Sequence, residues 1–221
     1  KLKTRLKRER TMPVLRVGNL KPKPGRIADT HAKLPGIKKI FDDSGARASL
    51  FWQKISGPNI GDISFLYVAQ EEGLANLGSL ITTIMSNEDY RALNADPDLP
   101  MDFNNGYIIQ DVYTAGEMDL DVQLRTTLMM SPNRGRNDDS VRRLSRIADE
   151  LVAGGAESAS VRTPLFGNQG SLVGLFAFYS GWDALEKSRQ HMLESQLWSA
   201  ISQSQDQTGE LLGNQIDVRV L

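Results

Sequence analysis

The sequence predicts an α+β fold made of two similar halves, and three observations carry that prediction. First, the chain repeats itself at an offset near 110: Leu15-Arg16 lines up with Leu124-Arg125, Gly25-Arg26 with Gly135-Arg136, Asp29-Thr30 with Asp139-Ser140 and Gly45-Ala46 with Gly155-Ala156. Leu34 and Ile37 match Leu144 and Ile147, and Gly57 matches Gly167, with slips of one or two residues at the loops. A repeat of this length has the size of a small domain and exceeds the ~20–50 residues of a solenoid unit; fusion of a gene to its own copy is its simplest origin. Second, β-branched and aromatic runs alternate with segments of helical spacing, in the same order in both halves. Third, each half carries more apolar strand surface than one layer of helices can cover.

In the first half, Val14–Leu20 reads as a strand ended by Lys21-Pro22-Lys23-Pro24-Gly25. Ala28–Asp43 has helical spacing through Leu34, Ile37, Ile40 and Phe41, with Asp29 or Thr30 placed to cap its start. Pro35 is expected to bend or divide that helix, because it lacks an N–H and crowds the preceding turn. Ala46–Ile55 and Ile63–Ala69 read as a hairpin, Gly73–Met85 and Asn87–Leu93 as helices, Asn94–Gly106 as a turn-rich loop and Tyr107–Tyr113 as the last strand. The second half repeats this with a strand at Val122–Met130, a helix at Asp138–Ala153 closed by Gly154-Gly155, a hairpin from Ser158–Thr163 and Leu172–Tyr179, a helical region over Trp182–Ser202 and a final strand at Ile216–Leu221.

The order β-α-β-β-α-β is the ferredoxin-like split arrangement, with helices on one face of an antiparallel sheet. Leu50, Trp52, Phe65, Tyr67, Ile109 and Val112 in the first half, and Val161, Leu175, Ala177, Tyr179, Val218 and Val220 in the second, are the apolar surface expected to meet between two facing sheets. The predicted architecture is therefore a single-chain α+β barrel: a basic extension at 1–12, a half at 13–118 and a half at 119–221. The join near Thr114–Asp119 is short, so the halves should pack rather than swing.

Composition removes several function classes. The 221 residues carry Lys+Arg 26 against Asp+Glu 27, which argues against nucleic acid or an anionic membrane as partner for the chain as a whole. Residues 1–12 alone stand at +5 and the remainder at −6; such an arm can bind phosphates, but the expectation is a poorly ordered extension, with Met12 as a candidate start. With no cysteine, disulfides, thiolate catalysis and cysteine metal sites are excluded. No apolar run approaches the ~20 residues that cross a bilayer, so a soluble, cytoplasmic protein is expected, monomeric or homodimeric.

Two stretches carry a family resemblance. Ser86-Asn87-Glu88-Asp89-Tyr90-Arg91-Ala92-Leu93, echoed by Glu194-Ser195-Gln196-Leu197-Trp198-Ser199-Ala200-Ile201, follows the long helix of each half, and Gly181-Trp182-Asp183-Ala184-Leu185-Glu186 joins strand to helix. In these the chain resembles the dimeric α+β barrel superfamily: antibiotic-biosynthesis monooxygenases, the EthD and NIPSNAP groups, muconolactone isomerase, polyketide cyclases and haem-handling relatives. The resemblance covers about Pro13 to Leu221 and implies the fold. It implies no catalytic residue, because one fold hosts many activities.

Candidate site residues are few. Arg16 and Arg125 hold matching places in the first strand of each half. If Leu15 and Leu124 pack on helices, strand alternation turns both arginines into the barrel, where guanidinium groups would hold an anionic ligand. The competing reading pairs them structurally with the last-strand acids Asp111 and Asp217. Asn19, Trp52, Tyr67 and Tyr179 complete the candidate ligand-binding set, with core packing as the alternative for the aromatics. His31 and His191 are the two possible axial ligands for haem, but neither stands in a metal-ligand pattern. The glycines of Gly167–Gly174 lie in a hairpin and not in a strand-to-helix phosphate loop. The expected function is binding or transformation of a small apolar or aromatic molecule, with an anionic one included, and with no metal or cofactor called for. A filled, non-catalytic assembly barrel is the alternative, and haem binding a second alternative.

Overall fold

The computed structural model describes residues 13–117, 121–167, 172–203 and 208–221. The basic segment 1–12, residues 118–120 of the join and 168–171 of the glycine-rich turn lie outside the described residues. The first half runs β1 (Val14–Pro22), α1 (Ile27–Asp43), β2 (Ala46–Lys54), β3 (Ile63–Ala69), α2 (Leu74–Ser86), α3 (Glu88–Ala95) and β4 (Met101–Gly116). The second repeats the order with β5 (Leu124–Pro132), α4 (Asn137–Ala153), β6 (Ser158–Phe166), β7 (Val173–Tyr179), α5 (Trp182–Glu194), α6 (Gln196–Gln203) and β8 (Gly209–Arg219).

The eight strands form one closed antiparallel barrel in the order β1-β3-β2-β8-β5-β7-β6-β4. Each half contributes a four-stranded sheet, and the sheets join at two seams, β2 with β8 and β4 with β6. Closure leaves no unpaired strand edge among the described residues, which removes edge pairing as a route to further association. Among them no helix is long and apolar enough to cross a membrane.

Three cores result. One lies between the first sheet and its helices, where Leu34, Ile37, Ile40 and Phe41 of α1 and Leu77, Leu80 and Ile84 of α2 meet Leu20, Phe51, Ile63, Phe65 and Tyr67. A second repeats this in the other half, with Leu144, Ile147 and Ala148 of α4 against Leu124, Val161, Leu175, Ala177 and Tyr179. The third contains no helical residue: Leu15, Val17, Leu50, Trp52, Leu66, Val68, Ile109, Val122 and Phe178 fill part of the barrel interior. Strands covered on both sides lose the polar-out alternation, and β3 is accordingly buried at all seven positions.

The structure corrects several expectations. Phe65 and Tyr67 pack on helices, as do Val161, Leu175, Ala177 and Tyr179, so only Leu50, Trp52 and Ile109 of the apolar set named above belong to the interior core. Pro35 sits inside one continuous helix. Asn94–Gly106 is a loop only in its first part, because β4 begins at Met101 and pairs it with Pro22. Neither Asp29 nor Thr30 occupies the N-cap. That position is Arg26, whose side chain instead pairs with Asp29 in the first helical turn, and Arg136 pairs with Asp139 in the same way. An acid there offsets the positive end of the helix dipole.

Candidate functional site: a basic cavity inside the barrel

The two candidate arginines occupy opposite faces of their strands. β1 and β5 are both nine residues long and both end in proline, which makes Leu15, not Arg16, the counterpart of Arg125. Leu15 belongs to the interior core and Leu124 to a helix-side core. Arg16 therefore points outward, half-buried, with its guanidinium against Gly106 and beside Tyr67. Burial pushes the Tyr67 phenol up to about 12, against the opposing charge and hydrogen bond of Arg16. A register slip of one residue exchanges the two faces of a strand, and the expectation for Arg16 fails for that reason.

Arg125 does enter the barrel. It is 4% exposed and Asp217 fully buried, with Arg125 Nε and Nη2 donating to Asp217 Oδ2 at 2.8 and 2.6 Å. Its Nη2 also donates to Ser64 Oγ at 2.6 Å, and its guanidinium carbon lies 5.3 Å from the centroid of the Trp52 ring. Burial lowers the Arg125 pKa, Asp217 counteracts this, and Arg162 adds to the lowering. The second interior acid, Asp111, pairs with Arg162 of β6 and not with Arg16: Arg162 Nε donates to Asp111 Oδ1 at 2.6 Å across the β4–β6 seam. Phe176 is held between the two guanidiniums, 5.8 Å from Arg125 and 4.7 Å from Arg162.

This belt of two ion pairs is the floor of a cavity of about 320 Å³. Val17 and Asn19 of β1, Ser64 of β3, Tyr107 of β4, Thr127 and Met129 of β5 and Phe176 of β7 form its wall, and Leu172, Leu212 and Asn214 stand nearer the mouth. Volumes of this size fall at the low end of small-ligand pockets, roughly 300–1,000 Å³. The β2–β3 loop borders the opening through Pro58 and Asn59. Ile216 donates its N–H to Ser56 Oγ at 2.8 Å and so ties the loop to β8, while a Cβ on Gly57, at φ +82°, would stand 2.7 Å from the Asn214 carbonyl. Gly174 opens the opposite wall, because a Cβ there would meet the Phe176 ring at 2.7 Å and Met129 Sδ at 3.0 Å.

Two polar groups of the lining have no hydrogen-bond partner among the described residues. Arg162 is 2% exposed, and its Nη2 has no hydrogen-bond partner; buried Thr127 Oγ1 has none either. Leaving such a donor unpaired costs about 1–3 kcal/mol, more for a charged group. Tyr107 lines the same cavity, its phenol pushed above the usual range by burial and by Asp217, with Arg125 and Arg162 opposing.

Of the sequence-derived candidates, Asn19 and Arg125 line the cavity and Trp52 lies beneath its floor. Arg16 and Tyr67 face the first helical layer, and Tyr179 is packed in the second. The sequence pattern alone does not mark Arg162, Tyr107 or Lys54, which also line the cavity. A lone arginine in the otherwise small and apolar run of β6 was the signal available for Arg162. His31 and His191 lie on the outer helices α1 and α5, where His191 Nε2 sits 3.0 Å from Glu150 Oε2, and neither lines the cavity. Among the described residues no group of three His, Asp or Glu side chains is placed to hold a metal ion.

No family model matches the sequence, and no curated protein matches it. Solved structures do match. A candidate monooxygenase from Fusobacterium nucleatum subsp. nucleatum covers 96% of this chain and 94% of its own at a TM-score of 0.70 and 10% identity. An anthrone oxidase-like protein covers 95% and 92% at 0.58 and 16% identity. The chain shares its α+β barrel fold with these structures. A candidate monooxygenase from Lactobacillus acidophilus NCFM shares this barrel over 95% of each chain, at 0.53 and 10% identity. At such identities the α+β barrel likeness concerns backbone architecture and assigns no activity.

Proposed function

We propose that this chain takes a small aromatic anion, a carboxylate or phenolate, into the barrel cavity. The reading rests on one observation above others: Arg162, buried in the cavity floor, keeps an Nη2 group without an acceptor among the described residues. An incoming oxyanion would supply that acceptor by a charge-assisted hydrogen bond, with Thr127 Oγ1 as a second donor. Phe176 and Met129 offer the flat apolar wall against which an aromatic ring packs, and Asn19 and Asn214 offer edge contacts. The similar structures described as monooxygenases and as anthrone oxidase-like are named for work on small organic molecules, and we extend to this chain that substrate class and no reaction.

The test is thermal unfolding with aromatic carboxylates and with their neutral amides at equal concentration. Ligand at 100 times its Kd stabilises the native state by about 2.7 kcal/mol. The carboxylates should raise the midpoint and the amides should not, and Arg162→Gln should erase the difference. Equal shifts would show a site without preference for an anion, and no shift with any carboxylate would return the chain to the reading of a filled structural barrel.

A further inference from the structure

The charge lining the cavity is one-sided. Lys54, Arg125 and Arg162 line it, and among the described residues no acidic side chain does; Asp217 and Asp111 sit behind the surface, each held by one arginine. Lys54 is different. It ends β2, is half-buried and is set opposite Asp217 by the β2–β8 register. Yet Asp217 is already occupied, its Oδ2 by Arg125 and both oxygens by Gln215 Nε2 at 3.1 Å. Among the described residues no carboxylate lies within ion-pair distance of Lys54 Nζ.

Topology fixes where that ammonium stands relative to Arg162. In the ring of eight strands, β2 and β6 are four places apart in either direction, so Lys54 and Arg162 project from diametrically opposite staves. Between them run the apolar Met129 and Phe176 and the amides of Asn19 and Asn214. Two cationic anchors facing each other across a short, partly apolar gap fit a molecule charged at both ends.

We propose that the ligand is a dianion, with one carboxylate-type group on Arg162 and the second on Lys54, spanning the barrel from β6 to β2. The inference rests on the anion-binding reading above and narrows it. A compact neutral-tailed acid would use one anchor and leave Lys54 idle; a diacid uses both.

Calorimetric titration of the full chain at pH 7 tests this with terephthalate, isophthalate and adipate, each beside its monomethyl ester, which keeps the shape and removes one charge. At least one diacid should bind about tenfold tighter than its ester, the order expected for one partly desolvated charge pair. Lys54→Gln should bring that ratio to near one, and Lys54→Arg should restore it, with unliganded melting curves checking the fold of each variant. A wild-type ratio near one with both forms bound would overturn the dianion while leaving the anion site standing. A ratio that survives Lys54→Gln would overturn the part given to Lys54. If neither form of any acid binds, the cavity reading falls as well.

Discussion

Where Leu15 of β1 pairs with Ile109 of β4 in the first half, the second half sets Arg125 of β5 against Asp217 of β8 at the same register. The contrast continues around the barrel. Val17 answers to Thr127, Leu66 to Phe176, Leu50 to Arg162 and Ser64 to Gly174. The first half fills the interior with Leu15, Leu50, Trp52 and Leu66, and the second sets Arg125 and Arg162 at the matching places, Arg125 paired with Asp217 of its own half and Arg162 with Asp111 across the β4–β6 seam. One backbone plan thus accepts both fillings, which shows that the fold does not require the charges. Buried ion pairs contribute little net stability over apolar residues of similar volume, so interior arginines confined to one half point to use rather than to folding.

The largest expected effect breaks that contrast by one partner at a time. Arg125→Leu or Asp217→Ala alone should cost about 3–5 kcal/mol in urea unfolding, because each strands a buried charge. The double variant Arg125→Leu/Asp217→Ile, which copies the first half, should recover to within about 1 kcal/mol of the natural chain. A double variant as unstable as the worse single one would show that the second half needs its ion pair for the fold itself.

Truncation at the two ends of the interior separates packed from open space. Leu15→Ala, in the filled end, should cost about 2–5 kcal/mol. Met129→Ala, on the cavity wall, should cost clearly less, since fewer atoms surround the removed group. Equal losses in denaturant unfolding would mean that the cavity end is packed as tightly as the other.

A smaller effect has the opposite sign. Thr127 Oγ1 is buried without a partner among the described residues, and the first half has Val17 there. Thr127→Val should therefore raise stability by about 1 kcal/mol, and a loss of that size would reveal a partner for the hydroxyl.

The mildest comparison is alkaline. Tyr67 faces the first helical layer with a phenol pushed up to about 12 mainly by burial, and its counterpart in the second half is Ala177. Between roughly pH 10 and 12 the unfolded chain has lost this proton while the folded one keeps it. The unfolded state then binds fewer protons, so the contribution is whole below about pH 10 and is lost as pH rises toward 12. Tyr67→Phe should flatten that part of the stability–pH curve. Tyr107 and Tyr179, both raised by burial, and Tyr113, raised by its hydrogen bond to Asp149, contribute to what remains.

The element order and the barrel were legible because both halves repeat the same apolar spacing and the same Gly-Arg turn before the first helix. Facing was harder to read. Matching Leu15-Arg16 with Leu124-Arg125 follows letter identity, whereas the strands align one residue later, and a period of two turns a slip of one into an exchange of faces. The apolar surface assigned to the interior failed similarly: β3 and β7 are hydrophobic on both sides, so alternation carries no sign of which side is inner. The acids Asp111 and Asp217 were visible as candidate ion-pair partners. That Arg162 and not Arg16 meets Asp111 depends on the β4–β6 seam, a pairing between halves that no local pattern encodes.

The central claim, that Arg162 has a hand free for an anion while Arg125 does not, is tested most directly by nitrogen-15 NMR of the arginine side chains during titration with benzoate, the two signals being assigned from Arg162→Gln and Arg125→Lys. The Arg162 Nη resonances should shift and saturate, with Arg125, already clamped by Asp217, moving little. A saturating shift at Arg125 alone, or no shift at either residue, would contradict it.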